Sequence, residues 1–337
     1  MTNIKMPTYD ISIYQHGLDH LEKHIKSFYQ GRNLFVVTDE TVYSYHIEAL
    51  KKALSSFNLH ITTIKPGEKE KNFDNYINVS RTLIKMGIKR SDLIIAFGGG
   101  VVGDLTGFVA ATLYRGIPFV QIPTTLLSMV DASIGGKVAI DLPEGKNLLG
   151  SFYNPKLVFI DTCFLETLSD RDYRNGLAEM IKAGLIGDSK LYHTLKTLDK
   201  VTVKEIEQSI LVKKEVVIKD PYEKKERMLL NFGHTFGHAI EKKHQYETYK
   251  HGEAISYGML IALEIGVSKG YTNKALYQEV EELLIERKLV EKPLLLMKDY
   301  LPFITHDKKF LENGLNFIMV KEPGVAEIIT VKEFDLL

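Results

Sequence analysis

The chain has 337 residues, 45% of them hydrophobic, and its 43 basic residues balance 43 acidic ones. This balance gives no electrostatic basis for nucleic acid or an anionic membrane as the main partner. Since no run of about eighteen apolar residues and no secretory signal is apparent, we expect no membrane span and no secretion. The single cysteine, Cys163, excludes an intramolecular disulfide and fits a reducing compartment. We therefore expect a cytoplasmic protein, with two domains for this length.

Short apolar runs alternate with amphipathic segments in the first half of the chain. The runs of strand length lie at residues 34–38, 59–64, 93–97, 119–122 and 157–160. The clearest amphipathic segments between them lie at residues 41–57 and 73–86. This alternation predicts an α/β domain with a parallel, Rossmann-like sheet covered by helices on both faces. Ligands of such sheets usually bind at the carboxyl ends of the strands.

The segment LIIAFGGGVVGD contains the third of these strands and the glycine-rich loop that follows it. It places Gly98, Gly100 and Gly103 in the spacing G-x-G-x-x-G at the start of a helix. Glycines there let the backbone approach a diphosphate and present amide N–H groups to it. The dinucleotide fingerprint, however, usually lies in the first strand–helix unit with an acid about twenty residues later, and this loop has neither feature. Two interpretations stay open at this point: a dinucleotide site of another topology, and a tight turn without a ligand.

The pattern becomes helical after about residue 168. Apolar positions recur at helical spacing in residues 170–187, 202–219, 228–244, 251–269 and 273–288. A β pattern returns only at 316–320 and 326–331, around a turn at Pro323 and Gly324. We predict an α/β domain over residues 1–168 and a mainly α-helical domain over residues 169–337, with the active site in the cleft between them.

The segment NFGHTFGHAIE contains two histidines four residues apart, His234 and His238. This spacing places both on one face of a helix, as in metalloproteases in which two histidines hold one zinc ion. Those enzymes have a general-base glutamate after the first histidine, and this chain has Thr235. Both a metal-binding pair and ordinary hydrogen-bonded core histidines are compatible with this segment alone.

Taken together, the motifs resemble one family. The order GGGVVGD, YRG, PTTLLSMVDASIGGK, GKN, NGLAEMIKAG, LLNFGHTFGHAIE and HGEAISYGM is similar to that of the 3-dehydroquinate synthases, from residue 34 to residue 309. The resemblance implies an NAD- and zinc-dependent lyase that converts 3-deoxy-D-arabino-heptulosonate 7-phosphate to 3-dehydroquinate and phosphate in the shikimate pathway. It implies transient oxidation by NAD, β-elimination of phosphate, re-reduction, ring opening and an aldol closure.

The resemblance also implies roles for individual residues. The implied metal ligands, for zinc with cobalt as an alternative, are Glu179, His234 and His251. The implied catalytic residues are Asp131, Lys137, Lys146, Asn147, Lys182 and His238, the last at the substrate phosphate rather than on the metal. The implied substrate-binding residues are Arg115, Lys213, Arg227, Asn231, and one of Lys308 and Lys309. The implied NAD-binding residues are Asp39, Glu68, Lys71, Gly99, Gly100, Gly103, Asp104, Thr124, Thr125, Phe164 and Thr167.

The chain departs from the family pattern before Arg227. Pro221 stands where the family has an acid, Lys225 stands where it has glycine, and Glu226 stands where it has an apolar residue. We expect the approach of this loop to differ. Met129 and Ala132 also replace commoner residues, and we expect these changes to be tolerated.

Competing functions remain at this stage. One is another sugar phosphate cyclase, such as 2-deoxy-scyllo-inosose synthase, and a second is a metal-dependent polyol dehydrogenase. A cyclase of glucose 6-phosphate has no carboxylate to bind, so Lys213 and Arg227 argue against it. A non-catalytic protein with the same fold would not need all three metal-ligand positions. From the resemblance we expect a small phosphorylated sugar acid as the substrate, a homodimer, and neither nucleic acid nor membrane as a partner.

Overall fold

A parallel sheet forms the centre of the N-terminal half of the chain. The computed structural model describes residues 1–223, 225–304 and 315–331, and the chain divides into two compact units, Met1–Ser169 and Asp170–Leu337. The strands of the first unit are β1 (Thr2–Lys5), β2 (Asp10–Tyr14), β3 (Asn33–Asp39), β4 (Asn58–Ile64), β5 (Leu93–Gly98), β6 (Phe119–Pro123), β7 (Lys137–Leu142), β8 (Gly145–Phe152) and β9 (Leu157–Asp161).

The order of the main sheet is β1-β2-β9-β6-β5-β3-β4. Strands β1 and β2 pair antiparallel, and the other pairs are parallel. Strand β5 is buried along its whole length, as expected for a central strand covered on both faces. The five predicted apolar runs all form strands, and the predicted fold class is confirmed. The sequence pattern did not identify β1, β2 or the full β7–β8 hairpin.

The helices of the first unit fill the connections between parallel strands. They are α1 (Leu21–Lys26), α2 (Glu40–Ala53), α3 (Phe73–Lys85) and α4 (Gly100–Thr112). Helices α3 and α4 pack over the sheet, and Leu83, Leu105 and Val109 lie in one buried cluster with Phe35 and Ile94. Burial of these side chains removes apolar surface from water, which contributes about 25 cal/mol of stabilising free energy per Å². This hydrophobic term is the main force that holds the helices to the sheet.

The second unit is mainly helical. Its helices are α5 (Asp170–Gly187), α6 (Ser189–Thr197), α7 (Val203–Lys219), α8 (His234–Lys243), α9 (His251–Ser268), α10 (Lys274–Glu286) and α11 (Leu301–Ile304). Two strands, β10 (Leu315–Glu322) and β11 (Val325–Val331), form an antiparallel hairpin. Helix α9 packs against α5, α8 and α10. Its largely apolar sequence fits this central position, since a helix that is apolar on all sides has to be buried. No described helix of the chain is both long and apolar enough to cross a membrane.

The predicted helix over residues 228–244 is wrong in its first part. Residues Glu226–Asn231 form a 3₁₀ turn, and α8 begins only at His234. Gly233 separates the two with φ of +78°, a left-handed conformation that glycine adopts without steric cost. The break places His234 at the first position of α8 rather than in the middle of a longer helix.

Helices α8 and α9 approach each other closely at a second glycine. A Cβ atom added at Gly258 would lie 1.9 Å from the carbonyl oxygen of Gly233. Only a residue without a side chain allows this approach. The contact brings the start of α8 next to α9.

Candidate active site

The glycine loop joins β5 to α4 and leaves the helix start open. Gly99 precedes α4, and no described side chain caps the amide groups of its first turn. The Thr124 N–H donates to the Gly98 carbonyl at 3.0 Å, which holds the ends of β5 and β6 together. A Cβ on Gly103 would lie 2.6 Å from Gln121 Oε1, so this glycine serves close packing of the helix. The uncapped amides favour a phosphate-binding loop over a plain turn.

A buried lysine connects several of the predicted residues of the first unit. Lys71 is only 4% exposed, and its Nζ donates to Asn147 Oδ1 at 2.6 Å and to Asp104 Oδ2 at 3.2 Å. Glu68 Oε1 lies 3.1 Å from the same Nζ, and Asp141 Oδ1 lies 3.8 Å from it. The structure thus brings together predicted NAD-binding residues and the predicted catalytic residue Asn147. Asp141 was missed by the sequence analysis.

The charges of this cluster are coupled. Burial opposes the positive charge of Lys71, but Asp104, Glu68 and Asp141 together raise the pKa of the ammonium group above its usual value. Burial raises the pKa of Asp104 to about 6, and the attraction of Lys71 only partly offsets this effect. Lys71 is therefore a cation at neutral pH, held by carboxylates of its own unit.

The other predicted NAD-binding residues lie near strand ends. Asp39 ends β3, and its Oδ1 accepts two N–H bonds of 2.9 Å from the first turn of α2, so it caps this helix. Phe164 and Thr167 lie in the 3₁₀ segment Thr162–Thr167 after β9, where the Thr167 hydroxyl lies 2.7 Å from His46 Nε2. Thr124 is buried, and its Oγ1 has no hydrogen-bond partner among the described residues. The Thr125 hydroxyl lies 2.8 Å from Ser128 Oγ.

The predicted substrate and catalytic residues of the first unit lie on turns and on the small hairpin. Arg115 ends a 3₁₀ turn with φ of +64°, and Asp131 lies in a π-helical turn, Ser128–Ala132. Lys137 begins β7, and Lys146 and Asn147 belong to β8. Asn147 also has a left-handed backbone, with φ of +57°, and its N–H donates to Asp141 Oδ1 at 2.8 Å. This turn fixes the backbone of Asn147 while Lys71 fixes its amide oxygen.

Three predicted metal ligands converge in the second unit. Glu179 lies in α5, His234 begins α8 and His251 begins α9. One ligand atom from each lies within 4.8 Å of the others. Glu179 Oε1 is 3.6 Å from His234 Nε2 and 3.4 Å from His251 Nε2. The three side chains point their donor atoms at one small region.

The donor set fits a divalent cation. Glu179 is 3% exposed and Lys182 binds its Oε2, whereas its Oε1 has no hydrogen-bond partner within the described part of the chain. A buried carboxylate oxygen without a partner is rare and needs an explanation. His234 Nδ1 lies 3.2 Å from the Phe232 carbonyl, so donation there leaves Nε2 as a lone-pair donor. One carboxylate and two imidazoles are the ligand set of many catalytic zinc sites.

The local electrostatics agree with a cation at this position. Burial works against the charge of Glu179, but Lys182 and His251 lower the pKa of its carboxyl group to about 2. Burial, Lys182 and the neighbouring histidines lower the pKa of His234 well below its usual value. Burial would lower the pKa of His251 too, but Glu179 and Glu241 raise it to about 9. At neutral pH the raised pKa keeps His251 protonated between the carboxylates of Glu179 and Glu241. A metal ion would replace this proton as the positive charge.

The start of α9 is anchored on α5 and its preceding turn. The Gly252 N–H donates to Asn175 Oδ1, and Arg171 binds both carboxylate oxygens of Glu253 at 2.7 Å. Glu253 also accepts the Lys250 N–H at 2.9 Å. These bonds fix the first turn of α9 and hence the backbone position of His251.

His238 lies one helical turn beyond His234 and is exposed. Its ring centre is 5.4 Å from that of His234 and 6.3 Å from that of His251. It also forms a second group of closely spaced ligand atoms with Glu241 and His251. The prediction that His238 is not a metal ligand therefore stays a prediction.

The predicted substrate residues of the second unit surround the altered loop. The Arg227 side chain is 2% exposed, and its Nη1 donates to the Pro221 carbonyl at 2.7 Å. Asn231 Nδ2 donates to Glu223 Oε1 at 2.8 Å. Lys213 is mostly buried in α7. Glu223 was missed by the sequence analysis. Lys308 and Lys309 lie outside the described residues.

The sheet, the helical unit and the Glu–His–His group together define a sugar phosphate cyclase. A solved structure of 2-deoxy-scyllo-inosose synthase, complexed with carbaglucose-6-phosphate, NAD+ and Co2+, matches this chain with a TM-score of 0.88 and 26% identity over 99% of this chain and 98% of its own. ValA, a 2-epi-5-epi-valiolone synthase from Streptomyces hygroscopicus subsp. jinggangensis solved with NAD+ and Zn2+, matches with a TM-score of 0.88 and 25% identity over 100% of this chain and 96% of its own.

Sequence comparison identifies the family within this class. The family described as 3-dehydroquinate synthase N-terminal matches residues 61–175, and the family described as 3-dehydroquinate synthase C-terminal matches residues 176–310. The 3-dehydroquinate synthase of Clostridium kluyveri is 41% identical over 339 aligned residues, covering 98% of this chain and 94% of that protein. The chain belongs to the 3-dehydroquinate synthase family, as its motifs predicted.

Proposed function

We propose that this chain converts 3-deoxy-D-arabino-heptulosonate 7-phosphate to 3-dehydroquinate and phosphate, as an NAD- and zinc-dependent lyase. The observation that carries the proposal is Glu179 Oε1, which has no hydrogen-bond partner among the described residues and faces His234 Nε2 and His251 Nε2 in a chain of this family. A solved relative with Zn2+ and another with Co2+ support zinc, with cobalt as an alternative.

The residues would hold metal and cofactor as follows. Glu179, His234 and His251 would ligate zinc, while Lys182 holds the other oxygen of the Glu179 carboxylate. The open start of α4 and the Lys71 cluster would hold NAD. Bound zinc supplies Lewis acidity toward the substrate hydroxyl groups, and NAD takes up and returns one hydride, so no net oxidation results.

Basic side chains would bind the two anionic ends of the substrate. The buried guanidinium of Arg227, already fixed by the Pro221 carbonyl, and the ammonium of Lys213 would take the carboxylate. The residues proposed for the phosphate group are Arg115, Lys137, Asn147, Asn231, His238 and one of Lys308 and Lys309. Such a cluster stabilises the charge that develops as phosphate leaves. We propose Asp131 and Lys146 for the sugar hydroxyls.

We also propose a cytoplasmic homodimer. The hairpin strand β8 exposes Leu148, Leu149 and Phe152 at 59%, 37% and 48% of their surfaces. Strand β7 is its only sheet neighbour among the described strands. A second copy would cover these apolar side chains and the open strand edge. Sedimentation velocity at micromolar concentration is expected to give twice the 38.3 kDa chain mass, and a single monomeric boundary would contradict the dimer.

One assay tests the activity. Purified protein with zinc, catalytic NAD and the heptulosonate phosphate is expected to release phosphate and form dehydroquinate in equal amounts, without accumulating NADH. His234→Ala serves as the inactive control. The structural match to 2-deoxy-scyllo-inosose synthase makes glucose 6-phosphate the first alternative substrate, followed by a polyol. Turnover of either one, with no phosphate release from the heptulosonate, would overturn the proposal.

A further inference from the structure

Glu241 is a buried acid beside the metal-ligand group. It lies in α8, its side chain is 2% exposed, and its Oε1 is 3.5 Å from His251 Nδ1. A carboxylate at this depth is costly unless it is paired with a charge or a strong hydrogen-bond donor. The imidazole of His251 provides such a donor.

The two nitrogens of His251 face different carboxylates. Its Nε2 faces Glu179 Oε1 at 3.4 Å, and its Nδ1 faces Glu241. His234 shows the same arrangement with another acceptor, because its Nδ1 faces the Phe232 carbonyl while its Nε2 faces Glu179. Each histidine thus has one nitrogen toward the shared region and one toward an oxygen acceptor of the protein.

We infer that Glu241 is a positioning residue for His251. By accepting the Nδ1–H, it selects the tautomer whose Nε2 lone pair faces Glu179 and His234, and it fixes the plane of the ring. The inference rests on the proposed function, since the lone pair is needed only if a metal binds there. Partners of this kind usually change metal affinity by about 10- to 100-fold.

A direct ligand role for Glu241 is the competing interpretation. Glu241, His238 and His251 also have ligand atoms within 4.8 Å of one another. The two roles differ in stoichiometry, because a positioning residue serves one zinc ion per chain while the second group would bind a further ion. Metal titration therefore separates them.

The test measures zinc binding by the full-length apoprotein in competition with a chromophoric chelator. Wild type is expected to bind one equivalent, and Glu241→Gln is expected to bind the same equivalent about 10- to 100-fold more weakly. The Co2+ absorption spectrum of this variant should also change, because a neutral amide oxygen accepts the His251 Nδ1–H more weakly than a carboxylate does and leaves the imidazole a weaker ligand. Glu241→Asp keeps the charge but shortens the side chain, and we expect an intermediate affinity.

Glu205→Gln is the matched control. Glu205 is also a buried acid of the second unit, 4% exposed, but it caps α7 by accepting from the Thr202 N–H and hydroxyl at 3.0 and 2.6 Å. This variant is expected to lower the melting temperature and to leave zinc affinity unchanged. If both Glu241 variants bind zinc as tightly as wild type, the inference is wrong while the proposed function stands. The same holds if wild type binds two zinc ions and the variants lose only the second. Failure of wild type to bind zinc would overturn the proposed function as well.

Discussion

A buried lysine of the first unit, Lys71, and a buried carboxylate of the second, Glu179, differ in how completely the protein satisfies their charges. Lys71 has acceptors from Asn147, Asp104 and Glu68 within 3.2 Å. Glu179 has Lys182 on one oxygen, while its other oxygen has no hydrogen-bond partner among the described residues and lies 3.4 Å from His251 Nε2. A buried group that its own unit satisfies completely holds structure together, whereas one left incomplete has capacity for a ligand.

The Lys71 and Glu179 clusters look alike in sequence but differ in whether their buried groups have all their hydrogen bonds. Both consist of charged residues scattered over distant motifs. Lys71 is satisfied by acceptors of its own unit, and the partly exposed acids around it would line the proposed NAD site. The Glu179 cluster leaves one carboxylate oxygen without a hydrogen bond from the described residues, and the two histidine nitrogens that face this oxygen could share a metal ion with it.

The largest effect is expected from the incomplete cluster. His234→Ala removes one of the three proposed ligands and should abolish stoichiometric zinc and reduce turnover by roughly 10³-fold or more, since Lewis-acid stabilisation is worth several kcal/mol. His238→Ala should retain zinc and lose roughly 10²-fold in turnover, the size typical of proton transfer. Metal analysis and phosphate release measure both effects. Equal zinc loss in the two variants would contradict this division of roles.

The complete cluster should respond in stability. Lys71→Met leaves the partly buried carboxylates of Asp104, Asp141 and Glu68 without their cation, and we expect the free energy of unfolding to fall by about 3 kcal/mol, the lower end of the range for a broken buried pair. Urea unfolding monitored by circular dichroism measures this change. Lys51→Met is the control, because Lys51 pairs with Glu48 at 2.8 Å on the surface, where no measurable change is expected. A stable Lys71→Met variant would show that the cluster does not hold the first unit together.

A smaller effect follows from the raised pKa of Asp104. Because this pKa is about 6 in the folded protein and near 3.8 without burial, folded Asp104 keeps its proton to higher pH than the unfolded chain does. The stability of wild type relative to Asp104→Asn should therefore fall as pH rises from about 4 to about 6, by up to roughly 3 kcal/mol. Unfolding of both proteins across this range measures the difference, and a pH-independent difference would rule out the proposed burial effect.

Much of the fold could be predicted from the sequence because the central strands are continuous apolar runs. The run that became β5 is buried on both faces, and this burial requires the hydrophobic composition that made it recognisable. The hairpin strand β8 is largely exposed and shows no such run. The predicted helix over residues 228–244 missed the break at Gly233. This break depends on the left-handed backbone of Gly233, and hydrophobic periodicity does not report a backbone angle.

The site residues also divide into those that a local sequence pattern indicates and those that only the folded chain brings together. Glu179, His234 and His251 were found through motifs, and the structure brings them together. Asp141 was missed because its link to Lys71 joins segments seventy residues apart, and no local pattern reports such a contact. Glu241 had an available signal, since it follows His234 by two helical turns and therefore lies on the same face.

The glycine contact between α8 and α9 links the candidate metal site to the packing of the apolar interior. His234 begins α8 and His251 begins α9. The distance between the two histidines therefore depends on how closely Gly258 approaches the Gly233 carbonyl. A single methyl group at Gly258 would push the helices apart without touching a charged atom. The distance between the two histidines can thus be altered from inside the hydrophobic core, by a residue that has no side chain at all.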